Sequence, residues 1–143
     1  MLASCSKPGI KETGAQQESK AIEFRPLLGT SRSTPAGTQV TFYFRNGSDG
    51  VVSLPGYFGS PPTAGVFQPA FIQYEIREDD KWRPLDVAYD GLPEYSRVEP
   101  GAELRLLIVL GPIETKKIAK STPIRIALDD VLSDEFTLEQ VMP

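Results

Sequence analysis

The sequence contains no histidine and a single cysteine in 143 residues. Without histidine, Ser-His-Asp and Cys-His catalysis are excluded, together with every metal site that a histidine would ligate. One cysteine cannot close an intrachain disulfide, so the fold must stand on packing alone. Cationic surface is scarce as well: 15 Lys and Arg against 19 Asp and Glu leave a formal charge of -4. Phosphate binding needs clustered Lys and Arg, so nucleic acid is not an expected partner. The nearest basic run, Lys116, Lys117 and Lys120, has no interleaved aromatic for base stacking and reads as a solvated loop. No apolar run reaches the roughly 20 residues of a membrane-spanning helix.

What the chain does have is β-forming alternation. An apolar content of 40% suffices for one core, and 13 prolines and 12 glycines punctuate short runs, as in an all-β domain with many turns. The clearest run is Phe71 to Val87. Ile72, Tyr74 and Ile76 share one face of an extended chain, with Gln73, Glu75 and Arg77 on the other. Asp79 and Asp80 then supply a turn, and Trp82, the only tryptophan, anchors a returning strand and is expected in or at the edge of the core. Thr38 to Arg45 alternates in the same way, with Val40, Phe42 and Phe44 on the apolar face. Ala21 to Leu28 suits an edge strand interrupted by Pro26.

Glu103 to Leu110 is the most apolar stretch and reads as a central strand. Ile124, Ile126 and Leu128 begin the next strand, and Phe136 and Leu138 are expected to begin the last one after a turn through Asp129 to Asp134. Gly111 to Ser121 is read as loop, being bracketed by Pro112 and Pro123. Asn46-Gly47-Ser48 fits a glycosylation acceptor, but Asn-Gly followed by Asp49-Gly50 is the better signature of a turn. The expected fold is therefore all-β, a Greek-key β-sandwich of immunoglobulin-like type with about seven antiparallel strands. It occupies residues 21–143, behind a polar, flexible tether at residues 1–20.

Two segments bear on function. Pro55 to Pro69 resists any periodic assignment and reads as a long loop carrying Tyr57, Phe58 and Phe67. Long loops of this kind are commonly functional, although the rings could equally cap an open end of the sandwich. The second segment holds Asp129, Asp130, Asp134 and Glu135 around one short turn. Those acids could bind Ca²⁺ through oxygen ligands alone, but the stretch lacks the ligand and glycine spacing of an EF-hand loop, so no metal or other cofactor is expected. In an immunoglobulin-like topology the two segments emerge at the same end, which would place the three aromatics beside the four acids as a partner-binding patch. No SxxK motif offers a lysine base to the exposed hydroxyls, and no enzymatic activity is expected.

The amino terminus carries an address. Leu2-Ala3-Ser4-Cys5 resembles the lipobox of bacterial lipoproteins, in which the cysteine is lipidated and becomes the mature terminus. The resemblance implies lipidation of Cys5 and a membrane-anchored position in the bacterial cell envelope, with a signal sequence expected upstream of Met1. Ile124 to Leu138 and the Val98-Glu99-Pro100-Gly101 approach resemble segments of immunoglobulin-like domains in secreted bacterial proteins. These features imply a non-catalytic binding or assembly module whose partner is another envelope protein. The alternative is an inhibitor or immunity-type protein that blocks its target with the Pro55 to Pro69 segment.

Overall fold

The computed structural model describes residues 21–59, 66–89 and 94–142. Cys5 and the expected tether lie outside the described residues. Eleven strands, among the described residues, form two sheets around one core. The larger sheet contains β1 (Ile22–Pro26), β2 (Arg32–Thr34), β3 (Gly37–Asn46), β4 (Val52–Phe58), β5 (Val66–Pro69), β8 (Tyr95–Val98) and β9 (Glu103–Val109). Its order is β1-β3-β9-β5-β4-β8, with β2 also pairing β3. The smaller sheet contains β6 (Phe71–Glu78), β7 (Lys81–Tyr89), β10 (Ile124–Leu128) and β11 (Val131–Leu132), ordered β11-β10-β6-β7. Single helical turns occur at α1 (Gly111–Glu114) and α2 (Leu138–Val141).

The alternating runs build the centre. Val40, Phe42 and Phe44 of β3 and Leu104, Leu106 and Ile108 of β9 face Ile72, Tyr74 and Ile76 of β6 and Ile124, Ile126 and Leu128 of β10, all buried. Phe24 meets Phe42 and Phe44 edge-on at 5.6 and 5.9 Å, and Phe42 meets Phe136 at 5.6 Å, the geometry that aromatic quadrupoles favour. Tyr74 donates its hydroxyl to the Val109 carbonyl at 2.7 Å, tying the small sheet to the large one. Burial raises its phenol pKa, with the Asp86 carboxylate adding to the shift.

Several expectations need correction. Pro55 to Pro69 is not one loop: β4 runs through Pro55 to Phe58, and β5 covers Val66–Pro69, with residues 60–65 outside the described residues. The alternation fails there because β4 changes partners, pairing β8 over Val52–Pro55 and β5 over Gly56–Phe58. The change occurs at Gly56, whose φ of 147° and contact with the Gln68 carbonyl and the Phe67 ring leave no room for a Cβ. β5 runs parallel to β9, so the sheet is not purely antiparallel.

The end of the chain also differs. Asp129 and Asp130 make a two-residue connection from Leu128 to Val131, and the final hairpin arm is β11, not a strand beginning at Phe136. The Ser133 hydroxyl accepts the Ile126 N–H at 2.9 Å in place of a backbone carbonyl, which ends the ladder. Phe136 survives as a lone bridge to Ile124, and Leu138 starts α2. Pro112 does not prevent α1, because proline at the start of a helical turn withholds an N–H that needs no intrahelical partner. Trp82 stands on the outer face of the small sheet, opposite Arg77, with the Arg125 guanidinium 4.3 Å from its ring centroid. Its strand register turns it away from the core, where a stack of arginines covers it.

Candidate cleft at the Asp129–Asp130 end

Asn46, at the end of β3, organises the end of the sandwich where the cleft lies. It is buried and its side chain is saturated: Nδ2 donates to the carbonyls of Gly50 and Val98 at 2.8 and 2.9 Å, and Oδ1 accepts from the Ser48 N–H and hydroxyl at 3.0 and 2.6 Å. Its backbone N–H and carbonyl bond Ala102 and Gly101. One side chain thus fixes the Gly47 to Val51 connection and the end of β8 together. A buried, doubly donating amide is not presented for glycosylation, so the triplet serves as a turn.

Beyond Asn46 the chain opens into a cleft of about 670 Å³. One wall is Val51, Val52 and Ser53 with Tyr95 of β8, and the other is the Asp129–Asp130 turn with Val131 and Leu132, Ile22 of β1 completing the lining. Val51, Tyr95 and Leu132 are 39%, 53% and 45% exposed, which places three of the large exposed hydrophobic side chains on one concavity. The Tyr95 hydroxyl bonds the Asp129 carboxylate across the cleft, and this bond, with lesser contributions from desolvation and the carboxylate charge, raises the phenol pKa. Asp129 holds φ at 57°, a left-handed conformation that aspartate tolerates better than most residues. Among the described residues no lining side chain is cationic, so the carboxylates of Asp129 and Asp130 face an otherwise apolar and hydroxyl surface.

The structure divides the expected patch. Asp129 and Asp130 line the cleft, but Tyr57 and Phe58 sit at the opposite end of β4 from Val52, about 20 Å away at the usual strand rise. Both are exposed, while Phe67 is fully buried with its ring 5.3 Å from that of Phe58. Phe67 was expected in the patch because the parallel β5–β9 pairing, which turns it inward, leaves no periodic trace in four residues. Asp134 bonds the Phe24 carbonyl through its backbone N–H, and Glu135 pairs with Arg77 at 3.1 Å; neither lines the cleft. Among the described residues no three His, Cys, Asp or Glu side chains gather where a metal ion could sit.

Val51, Tyr95 and Leu132 were missed. Each directly follows or lies close to a turn former, and reading Asp129-Asp130 as a two-residue connection would have put Leu132 opposite Ala127 with its backbone at the sheet edge. The outer faces of both sheets, in contrast, are crossed by polar contacts. Glu75 bonds Arg125 at 2.6 Å on the small sheet, and Tyr43 donates to Glu103 at 3.0 Å while Arg25 covers its ring on the large one. The chain matches no family model, no curated protein and no solved structure.

Proposed function

We propose that this chain is a non-catalytic binding module of the bacterial cell envelope, anchored by lipid on Cys5, and that its immunoglobulin-like sandwich engages another envelope protein through the Asp129–Asp130 cleft. The immunoglobulin-like reading is supported by strand order. β1-β3-β9 in one sheet and β7-β6-β10-β11 in the other follow the Greek-key arrangement of first, second and fifth strands against the third, its neighbour, and the last two. The anchor is supported by the Leu2-Ala3-Ser4-Cys5 motif. No helix among the described residues is long and apolar enough to cross a membrane.

The observation that carries the binding reading is the gathering of Val51, Tyr95 and Leu132 around two carboxylates. Exposed apolar side chains rimmed by charge are the anatomy of an interaction site, the apolar centre supplying affinity and the carboxylates selecting a basic partner and speeding its approach. The test is copurification from envelope extract of wild type, Leu132→Glu and Val51→Glu, with folding checked by circular dichroism. Loss of the same stoichiometric partner in both variants supports the reading, and retention by both rejects it. A second reading, an inhibitor acting through the Pro55 to Pro69 segment, rests on the exposure of Tyr57 and Phe58 at the far end of β4. It requires that Tyr57→Ala with Phe58→Ala loses the partner while the cleft variants keep it.

A further inference from the structure

Resting on the cleft reading above, we infer that the partner enters as an extended segment that adds to the free edge of β11 through the backbone of Leu132, and that this segment carries a lysine or arginine beside an apolar residue. The register decides which backbone groups are available. Ser133 donates to the Ile126 carbonyl, which makes Ile126 and Ser133 a hydrogen-bonded pair of the β10–β11 ladder. Antiparallel pairs alternate, so Ala127 and Leu132 form the next, non-bonded pair and Leu132 directs its N–H and carbonyl away from β10.

The same parity holds across the cleft. Gly47 donates to the Ala21 carbonyl, so Ile22 and Phe24 turn their backbone groups away from β3. The Phe24 carbonyl is taken by the Asp134 N–H at 2.8 Å, a single bond that joins β1 to the chain leaving β11. Beside that seam, Ile22 and Leu132 both line the cleft, each with an outward-turned peptide group. An unpaired strand edge beside apolar side chains is the receiving geometry of strand addition, in which backbone bonds supply register and alternate side chains supply specificity. The cleft volume of about 670 Å³ lies within the range that holds bound organic groups, roughly 300–1,000 Å³. Among the described residues its only formal charges are the carboxylates of Asp129 and Asp130, which selects for a cationic neighbour of the inserted side chain.

The experiment uses the peptide acetyl-Lys-Val-Thr-Val-Thr-Val-amide and its counterpart with Glu in place of Lys, added to the folded chain while amide exchange is followed residue by residue in solution. With the lysine peptide near saturation, exchange of the Leu132 amide slows by at least about tenfold, and the glutamate peptide at equal concentration leaves it unchanged. Leu132→Pro, which removes the outward N–H without touching the ladder, abolishes binding, whereas Leu132→Ala weakens it and keeps the residual protection. Shifts at Tyr95 and Val51 without protection at Leu132 overturn strand addition and leave the cleft reading standing. Absence of any response to the lysine peptide also overturns the inference. Failure of the cleft reading shows separately, as partner retention by Leu132→Glu and Val51→Glu.

Discussion

Two hairpins of this protein turn on the same dipeptide, and they differ in everything around it. At Asp79-Asp80 both residues hold positive φ, 53° and 63°, between Glu78 and Lys81, and Arg83 reaches back to Glu78 at 2.6 Å. That bond holds the Glu78 carboxyl below the usual range. The tip is exposed, ringed by charge of both signs, and presents no apolar surface. At Asp129-Asp130 the connection is equally short, but the neighbours are Val131, Leu132, Val51 and Tyr95, and the carboxylates look across a cleft. The dipeptide and the loop length are thus shared, although only Asp129 of the second pair holds positive φ, and the company of the carboxylates distinguishes a soluble hairpin tip from a candidate binding rim.

The contrast can be broken most severely at Asn46. Replacing it by Asp removes the two donors that hold Gly50 and Val98 and places a carboxylate against their carbonyls, so denaturant unfolding should show a loss of about 3 kcal/mol or more. The cleft wall at Val51 would loosen with it, while the Asp79-Asp80 tip has no comparable dependence.

A smaller effect is expected at the base of the first hairpin. Tyr74→Phe leaves the Val109 carbonyl without its donor and should cost about 1–2 kcal/mol at neutral pH. The phenol pKa is raised on folding, so its contribution is complete below the ordinary phenol value of about 10 and is lost as pH rises above it. Wild type should therefore lose stability on going from pH 9 to pH 12 more steeply than Tyr74→Phe, as measured by thermal melts across that range.

The smallest stability changes sharpen the comparison directly. Asp79→Asn with Asp80→Gly relieves two left-handed aspartates and should stabilise by about 0.5–1 kcal/mol. Asp129→Gly with Asp130→Asn relieves one left-handed aspartate but gives up the Tyr95 bond, so stability should change by less than about 0.5 kcal/mol. Only the second pair should weaken the partner, by about tenfold, with a shallower salt dependence of association. Equal binding by both pairs would show that the carboxylates at the second turn do no more than those at the first.

The fold was legible where side-chain alternation was uninterrupted. Val40 to Phe44, Ile72 to Ile76 and Leu104 to Ile108 stand in strands with every second residue of each run turned inward, because one antiparallel partner continues through each run, β9 beside β3 and β7 beside β6. Val52 to Phe58 was illegible beyond its first residues, since it exchanges β8 for β5 at Pro55-Gly56 and buries three consecutive residues, Leu54, Pro55 and Gly56. Trp82 was misjudged because hydrophobicity suggests the core, whereas its pairing with Arg77 sets it on the outer face. Of the expected patch, Asp129 and Asp130 do stand beside apolar side chains, but these are Val51, Tyr95 and Leu132, brought there by pairings far apart in sequence, and not Tyr57, Phe58 and Phe67.

The most direct test of the central claim compares the two hairpins in the cell. A photo-activated phenylalanine analogue placed at Leu132, and separately at Lys81, is illuminated in living cells and the covalent products are resolved by mass. The account predicts one discrete protein adduct from position 132, its yield lowered by Asp129→Asn with Asp130→Asn, and none from position 81. An adduct of the same protein from position 81 but not from position 132 would contradict it.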